Sequence, residues 1–313
     1  MTDGLHVIFG TGPVGLATME ELAGSGEQVR MVNRSGNAGL PGGVELVKGD
    51  ASDPDFAARA AAGASVIYQA LNPPYDRWPE LFPGLQNGAV SAARASGAVL
   101  ISMENLYLYG PTGGQPMTEE TPFAPNTRKG AVRAVMAGEL AAAHNREEIR
   151  AASVRASDFF GPRVVQSALG ERVFGRILHG KSAQVIGNPT LAHSYTYIND
   201  IARVLVRVGR EPSAWGRAWH VPSAETTTTN QLVDMIGEVA GVPARARPTP
   251  RFMLRILGRF QPEVHELLEM LYEFEEPFVI DGRSLQTSFG FQPTPLRAAI
   301  EATVDWYRNH FAR

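Results

Sequence analysis

Gly10, Gly12 and Gly15 stand in G-x-G-x-x-G spacing, which suits one piece of chemistry, the holding of a pyrophosphate on backbone N–H groups at a helix N-terminus. Gly10 permits a tight turn, Gly12 lets backbone approach the anion, and Gly15 lets the following helix lie close to the strand before it. Pro13 suits the first helical position, where its missing N–H is not needed, and Thr11 and Val14 complete the expected cofactor turn. An NAD site calls for a carboxylate at the end of the next strand, whereas this chain carries Asn33, Arg34 and Ser35. A guanidinium and a hydroxyl suit a 2′-phosphate, so NADP(H) is expected ahead of NAD(H), with Arg34 as a plain solvated charge the competing reading.

Such a motif works only between a buried strand and a helix. Leu5 to Phe9 is an apolar run that reads as the strand. A helix with Val14, Met19 and Leu22 inward follows, and Gln28 to Val32 is a second strand. Val44 to Lys48 reads as the third strand, and Ser52 or Asp53 caps an alanine-rich helix running to Ala62. Ser65 to Ala70 is a fourth strand, and the loop Leu71 to Pro74 is expected at the carboxyl edge of the sheet, where open α/β folds bind ligands. A helix from Trp78 to Ser96 is expected to break near Pro83. Ala98 to Met103 and Arg150 to Arg155 are the fifth and sixth strands, on either side of a helix from Gly130 to Asn145. Beyond Gly161 come short apolar segments, Ala183 to Ile186 and Ala218 to Val221. A capping box at Thr228 and Gln231 and helices over Glu263 to Phe274 and Leu296 to Phe311 complete the pattern. The alternation predicts an α/β fold with a doubly wound parallel sheet.

The formal net charge of −3 and 19% charged residues offer no electrostatic case for nucleic acid or an anionic membrane. The absence of cysteine excludes disulfides, thiolate metal sites and cysteine nucleophiles. No apolar run approaches the ~18 residues of a membrane span, and with no leader in front of the first strand a cytoplasmic location is expected. No spacing of His, Asp and Glu resembles a metal site.

Several stretches together resemble the extended short-chain dehydrogenase/reductases, the NAD-dependent epimerase/dehydratase group. They are the glycine turn, Gly49-Asp50, Tyr109-Gly110, Pro116 to Pro122, Arg155 to Pro162, Gly187 to Pro189, Tyr195 to Ala202 and Trp219 to Gly241. The resemblance implies a Rossmann-type NADP(H)-binding domain over residues 1–160. Residues 161–313 would form a smaller C-terminal substrate-binding region, with some segments returning to the sheet. It places Asp50 and Ala51 at the adenine, Asn33 and Arg34 at the ribose, and Ala70, Leu71 and Asn72 on the path to the nicotinamide. Asp50 serves equally well as a turn or helix cap.

The family's proton transfer rests on a Tyr-x-x-x-Lys pair and a serine. The matching slots here hold Lys129, Arg133 and Asn105. Lys129 can move a proton only if its surroundings lower its pKa, while Arg133 can hold ribose hydroxyls or polarise a carbonyl. Glu104, Asn105 and Tyr107, at the end of the fifth strand, are the further candidates: a base, a hydrogen-bond donor and a proton donor. Glu104 is equally placed to pair with Arg133 or Lys129, and Tyr107 to pack. On the substrate side the resemblance points to Asp158, Phe159, Phe160, His193 and Tyr195, with His193 where many relatives carry a basic residue for a sugar-nucleotide phosphate. Trp78, Phe82 and the cluster Met270, Leu271, Tyr272 and Phe274 either shape an apolar pocket or pack a core.

The expected activity is NADP(H)-dependent oxidoreduction, or an epimerase or dehydratase cycle, on the carbonyl or carbinol carbon of a small organic molecule. A homodimer is compatible with it. The alternative is a protein that senses NADP(H) without turnover, to which the missing tyrosine points. The roughly 150 residues after Arg155 favour the enzyme.

Overall fold

The computed structural model describes residues 4–259, 266 and 268–311. They fall into two compact units, one of residues 1–108, 128–155 and 201–219, the other of residues 109–127, 156–200 and 220–313.

The first unit is built on β1 (Leu5–Phe9), α1 (Pro13–Gly24), β2 (Val29–Asn33), β3 (Glu45–Lys48), α2 (Pro54–Ala60), β4 (Ala64–Gln69), α3 (Trp78–Ser96), β5 (Val99–Glu104), α4 (Arg128–Asn145) and β6 (Arg150–Arg155). Its sheet runs from the strand Ala218–His220 through β6, β5, β4, β1 and β2 to β3. The pairings from β6 to β3 are all parallel. This is the doubly wound order in which the chain reverses direction across the sheet between β1 and β4, the place where such sheets open a ligand crevice. Asp53, rather than Ser52, caps α2, accepting from the N–H groups of Asp55 and Phe56. The break expected at Pro83 does not occur, and α3 runs unbroken from Trp78 to Ser96. Pro83 lies in the second turn, so it forgoes a single backbone bond, to the carbonyl of Pro79, close to the helix start.

One face of this sheet explains where polar side chains collect. Val7, Phe9, Ile67, Leu100 and Ala151 pack against alanines of three helices, among them Ala57, Ala60, Ala89, Ala92, Ala93 and Ala143, and against Leu140. With a side-chain period of two, Ser102 and Glu104 share the face of Leu100. Register sets Gln69 beside Ser102, and Ser153 and Arg155 beside Ser102 and Glu104. The face is thus apolar along most of its length and polar at the carboxyl ends of the strands.

In the second unit, Thr196–Tyr197 pairs parallel with Phe159–Phe160, Thr226–Thr228 antiparallel with Ala192–Ser194, and Ala246–Pro248 parallel with Ala183–Val185. The capping box is present, with the Thr228 side chain accepting from the Gln231 N–H and the Gln231 side chain accepting from the Thr228 N–H. The helix Leu296–Phe311 buries Leu296, Ile300, Val304 and Tyr307 at the expected spacing. The Tyr307 ring stacks on Phe174, which stacks on Phe160. The helix expected over 263–274 lies partly outside the described residues, and the described part holds the short helix Tyr272–Glu275.

Candidate functional site

The turn between β1 and α1 has the geometry its glycines suggest. Gly10 has φ +109°, and a Cβ there would lie 2.7 Å from the Ala70 carbonyl oxygen. A Cβ on Gly15 would lie 2.1 Å from the Gly10 carbonyl oxygen, so α1 touches the turn backbone to backbone. Gly12 is the N-cap and has no side-chain cap, Pro13 follows, and a Cβ on Gly12 would meet nothing within 4 Å. The helix therefore presents first-turn N–H groups that no side chain caps, beside open space, which is what a pyrophosphate requires. Val14 is buried behind them.

Beside this turn the Asn33 amide donates to the Thr11 hydroxyl at 2.9 Å and to the Asn37 carbonyl at 3.1 Å, and its oxygen accepts the Gly36 N–H at 2.7 Å. Ser35 bonds to Asn37 within the same loop. Asn33 and Ser35 are thus occupied in shaping the end of β2, and Arg34 is left exposed at its tip. Asp50 accepts the N–H and hydroxyl of Ser52 at 2.9 and 2.7 Å. Those bonds, and less strongly the Arg34 charge, hold its carboxyl below the ordinary aspartate range. The turn-cap reading of Asp50 is therefore what its side chain does here. Ala51 is buried under α3, where a Cβ on Gly88 would meet its carbonyl. Ala70 and Leu71 are half-buried and Asn72 is exposed.

At the carboxyl end of β5 the candidates separate. Glu104 accepts the Ser153 hydroxyl at 2.8 Å and Arg155 Nε at 2.9 Å, with both ionic side chains buried. Glu104 is therefore not an available base, and its partner is Arg155 rather than Arg133 or Lys129. Both of its oxygens are engaged, and the partners are themselves fixed on β6. Asn105 accepts the Tyr107 N–H at 3.3 Å, so its oxygen organises the turn into the 3₁₀ segment Tyr107–Tyr109.

Lys129 and Arg133, one turn apart on α4, are both buried, at 1% and 4% exposure. The Lys129 ammonium lies 4.3 Å from the centre of the Tyr75 ring, and the Arg133 guanidinium 4.9 Å from that of Phe82. Arg133 also donates to the Met103 carbonyl at 3.0 Å, while its Nε has no partner. Burial pushes the Arg133 pKa down, and Glu104 pushes it back up. Trp78 and Phe82 pack in one cluster with Met136, and Phe82 carries the Arg133 guanidinium. Tyr75, not among the residues expected here, completes it. Its only local sign is a place directly after Pro73-Pro74, at the edge where ligands bind.

In the second unit, Asp158 Oδ2 and His193 Nε2 are 3.0 Å apart, and the imidazole is stacked between aromatic neighbours that include Tyr195 and Phe274. Phe159 is half-buried. Phe160 and Tyr195 are both buried. Phe160 is sandwiched against Phe174, and the buried Tyr195 hydroxyl meets the Thr229 hydroxyl at 2.8 Å. Leu271 and Phe274 pack with Ile186 and Leu254.

Nothing local in the sequence marks Glu273. It is 1% exposed, its Oε1 has no partner, and burial, with the Asp158 charge adding to it, pushes its carboxyl well above the usual glutamate range. A raised folded-state pKa means that the native state holds the proton more tightly than the unfolded chain. Stability is therefore complete below the unfolded value near 4.5 and falls as pH rises through the folded value. Glu273→Gln is expected to gain about 2–6 °C in melting temperature at pH 7 and nothing at pH 4. Melting curves of the two proteins that stay parallel from pH 4 to 8 would remove the assignment.

The geometry of the turn can be set beside known proteins. The model of the NAD dependent epimerase/dehydratase family matches residues 7–221. The chain belongs to that family. It is 27% identical over 225 residues to dTDP-4-dehydro-6-deoxy-D-allose reductase of Streptomyces bikiniensis, covering 68% of this chain and 61% of that one. It is 23% identical over 230 residues to dTDP-glucose 4,6-dehydratase of Streptomyces griseus, covering 72% and 64%. The matches thus span less than two thirds of either relative. The crystal structure of Thermus thermophilus UDP-glucose 4-epimerase in complex with NAD superposes with a TM-score of 0.76 at 19% identity, covering 97% of this chain and 99% of that one. It has the same fold. The family's Tyr-x-x-x-Lys spacing occurs nowhere in the present sequence, whose lysines are Lys48, Lys129 and Lys181. Among the described residues no helix is long and apolar enough to cross a membrane, and no group of three His, Cys, Asp or Glu side chains is placed to hold a metal ion.

Proposed function

We propose that the protein is an NADP(H)-dependent oxidoreductase acting on the carbonyl or carbinol carbon of a small organic molecule. An epimerase or dehydratase cycle, in which the hydride is taken and returned, is the internal form of the same chemistry. The observation that carries this reading is the uncapped N-terminus of α1, seated on Gly10 and Gly15 with open space at Gly12. Those first-turn N–H groups would hold the pyrophosphate. Arg34, exposed and in no ion pair among the described residues, would meet the 2′-phosphate, with Asn33 and Ser35 fixing the loop that carries it. Asp50 and Ala51 would border the adenine, and Ala70, Leu71 and Asn72 the way to the nicotinamide. When bound, the cofactor supplies or accepts the hydride.

Lys129, Arg133, Asn105 and Tyr107 gather at the carboxyl edge of the sheet and make up the proposed catalytic region. Arg133, buried with an unpartnered Nε, is suited to hold ribose hydroxyls or polarise a substrate oxygen. On the substrate side, Asp158 takes His193 and brings a carboxylate to a position where a phosphate would need a cation. That pairing supports an uncharged small molecule over a nucleotide-linked sugar.

Titration of protein fluorescence with NADPH and NADH tests the reading. NADPH should bind about tenfold or more tightly than NADH, and Arg34→Ala should erase most of the difference. Equal affinities would remove the role of Arg34, and the absence of binding by both would remove the cofactor site. NADPH binding with no turnover of any carbonyl compound would favour a sensing protein.

A further inference from the structure

Two helices present matched pairs at i, i+4 spacing: Trp78 and Phe82 from α3, Lys129 and Arg133 from α4. The Gln86 side chain donates to the Met136 carbonyl at 2.9 Å and ties these helices together. Arg133 lies over Phe82 and Lys129 over Tyr75. Tyr107 stacks on Trp78, and Tyr75 meets Trp78 edge-on. This packing brings the Tyr75 hydroxyl 3.5 Å from the Tyr107 hydroxyl, with Tyr75 as donor. That is long for two hydroxyls, and catalytic contacts of this kind commonly shorten once substrate is bound.

Lys129 has almost no exposed surface, whereas Tyr75 and Tyr107 are both half-exposed. A group that hands a proton to substrate must reach it, so the buried ammonium is badly placed for the transfer and well placed to act through the ring it covers. We propose that Tyr107 is the catalytic acid and base, and that Tyr75 and Lys129 are positioning residues that stabilise its phenolate, Tyr75 by hydrogen bond and Lys129 by its charge on the Tyr75 ring. The assignment rests on the oxidoreductase reading above. In the reductive direction the carbonyl carbon receives a hydride from a reduced nicotinamide. The C=O π electrons pass to oxygen, and that oxygen forms an O–H bond as the Tyr107 O–H bond breaks. The phenolate left behind accepts the Tyr75 hydrogen bond until solvent returns the proton. Arg133 is a further charged group that acts on Tyr107, and Glu104 and Arg155 act on Arg133 in turn.

Two measurements test the array on the full-length protein. The first is tyrosinate absorbance after pH jumps, without cofactor. The curve of Tyr107, taken as wild type minus Tyr107→Phe, should move to higher pH by about one unit when the same difference is measured in a Lys129→Met or Tyr75→Phe background. Burial pushes Tyr68, Tyr195 and Tyr307 upward, so they ionise late and stay clear of this step. A Tyr107 curve indifferent to both changes overturns the proposal. The second is NADPH oxidation with 9,10-phenanthrenequinone as the carbonyl probe. Tyr107→Phe should lose about 10²–10⁴-fold in kcat with NADPH affinity kept, and Lys129→Met and Tyr75→Phe should lower kcat and displace its pH profile upward. If Tyr107→Phe turns over normally, the array is wrong and the oxidoreductase reading stands. If the Tyr107 curve moves but the wild type reduces no carbonyl, the array stands and the oxidoreductase reading falls.

Discussion

Gly15→Ala is expected to lose cofactor binding and stability together, whereas Gly12→Ala, three residues earlier, loses binding almost alone. Alanine in place of a helical glycine ordinarily gains ~0.5–1 kcal/mol. At Gly15 the sign reverses, because the new Cβ would sit 2.1 Å from the Gly10 carbonyl oxygen and 3.0 Å from its carbon, both backbone atoms. To reach ordinary contact α1 must retreat by roughly 1 Å, and overpacking of this kind costs about 1–3 kcal/mol. The same retreat shifts the first-turn N–H groups that would bind the pyrophosphate, and losing one hydrogen bond to a charged group costs about 1.5–3 kcal/mol, or roughly 10–100-fold in affinity. At Gly12 the added methyl meets nothing in the protein, so the fold should lose about 1 kcal/mol or less. It would, however, stand where the pyrophosphate must come closest. Thermal melting paired with NADPH fluorescence titration separates the two. Normal affinity in Gly12→Ala would show that the cofactor does not use this turn.

Much of the first unit could be read from local sequence because its signals are local. An apolar run, a glycine turn and an aspartate cap each act over a few residues, and the structure reproduces β1, α1 and the start of α2 within a residue or two. The expected break at Pro83 does not form, because the penalty for proline depends on what it would have bonded to. In the second turn, with Pro79 four residues before it, that loss is small. The candidate site is legible as a set of positions and much less as a set of contacts. Lys129, Arg133, Asn105 and Tyr107 all reach the carboxyl edge of the sheet. Which rings carry the cations follows from how α3 docks on α4, and no spacing within one helix encodes that. Tyr75 and Glu273 carry little or no local signal for the same reason, and position after a strand says nothing about the burial of Phe160 and Tyr195.

The partner of Glu104 shows how register decides such questions, and it supports the second large prediction. Lys129 and Arg133 are nearer in sequence, but β5 and β6 run parallel with Glu104 opposite Arg155, and neighbouring residues on one face of a sheet meet directly. Both side chains are about 95% removed from solvent and the ion pair closes at 2.9 Å. Arg155→Met keeps most of the apolar stem and removes the charge, leaving the Glu104 carboxylate buried with only the Ser153 hydroxyl on its other oxygen. Breaking one side of a buried pair costs about 3–5 kcal/mol, or a fall of the order of 10 °C in melting temperature for a unit of this size. Adding Glu104→Gln removes the stranded charge, so the double variant should regain a large part of that loss even though a second native side chain has gone. The single change Glu104→Gln should be costly too, because it removes the carboxylate that meets the buried Arg155 Nε. Thermal melts of the four proteins at pH 7 complete the cycle. If the two single losses simply add in the double variant, the pair contributes nothing as a pair.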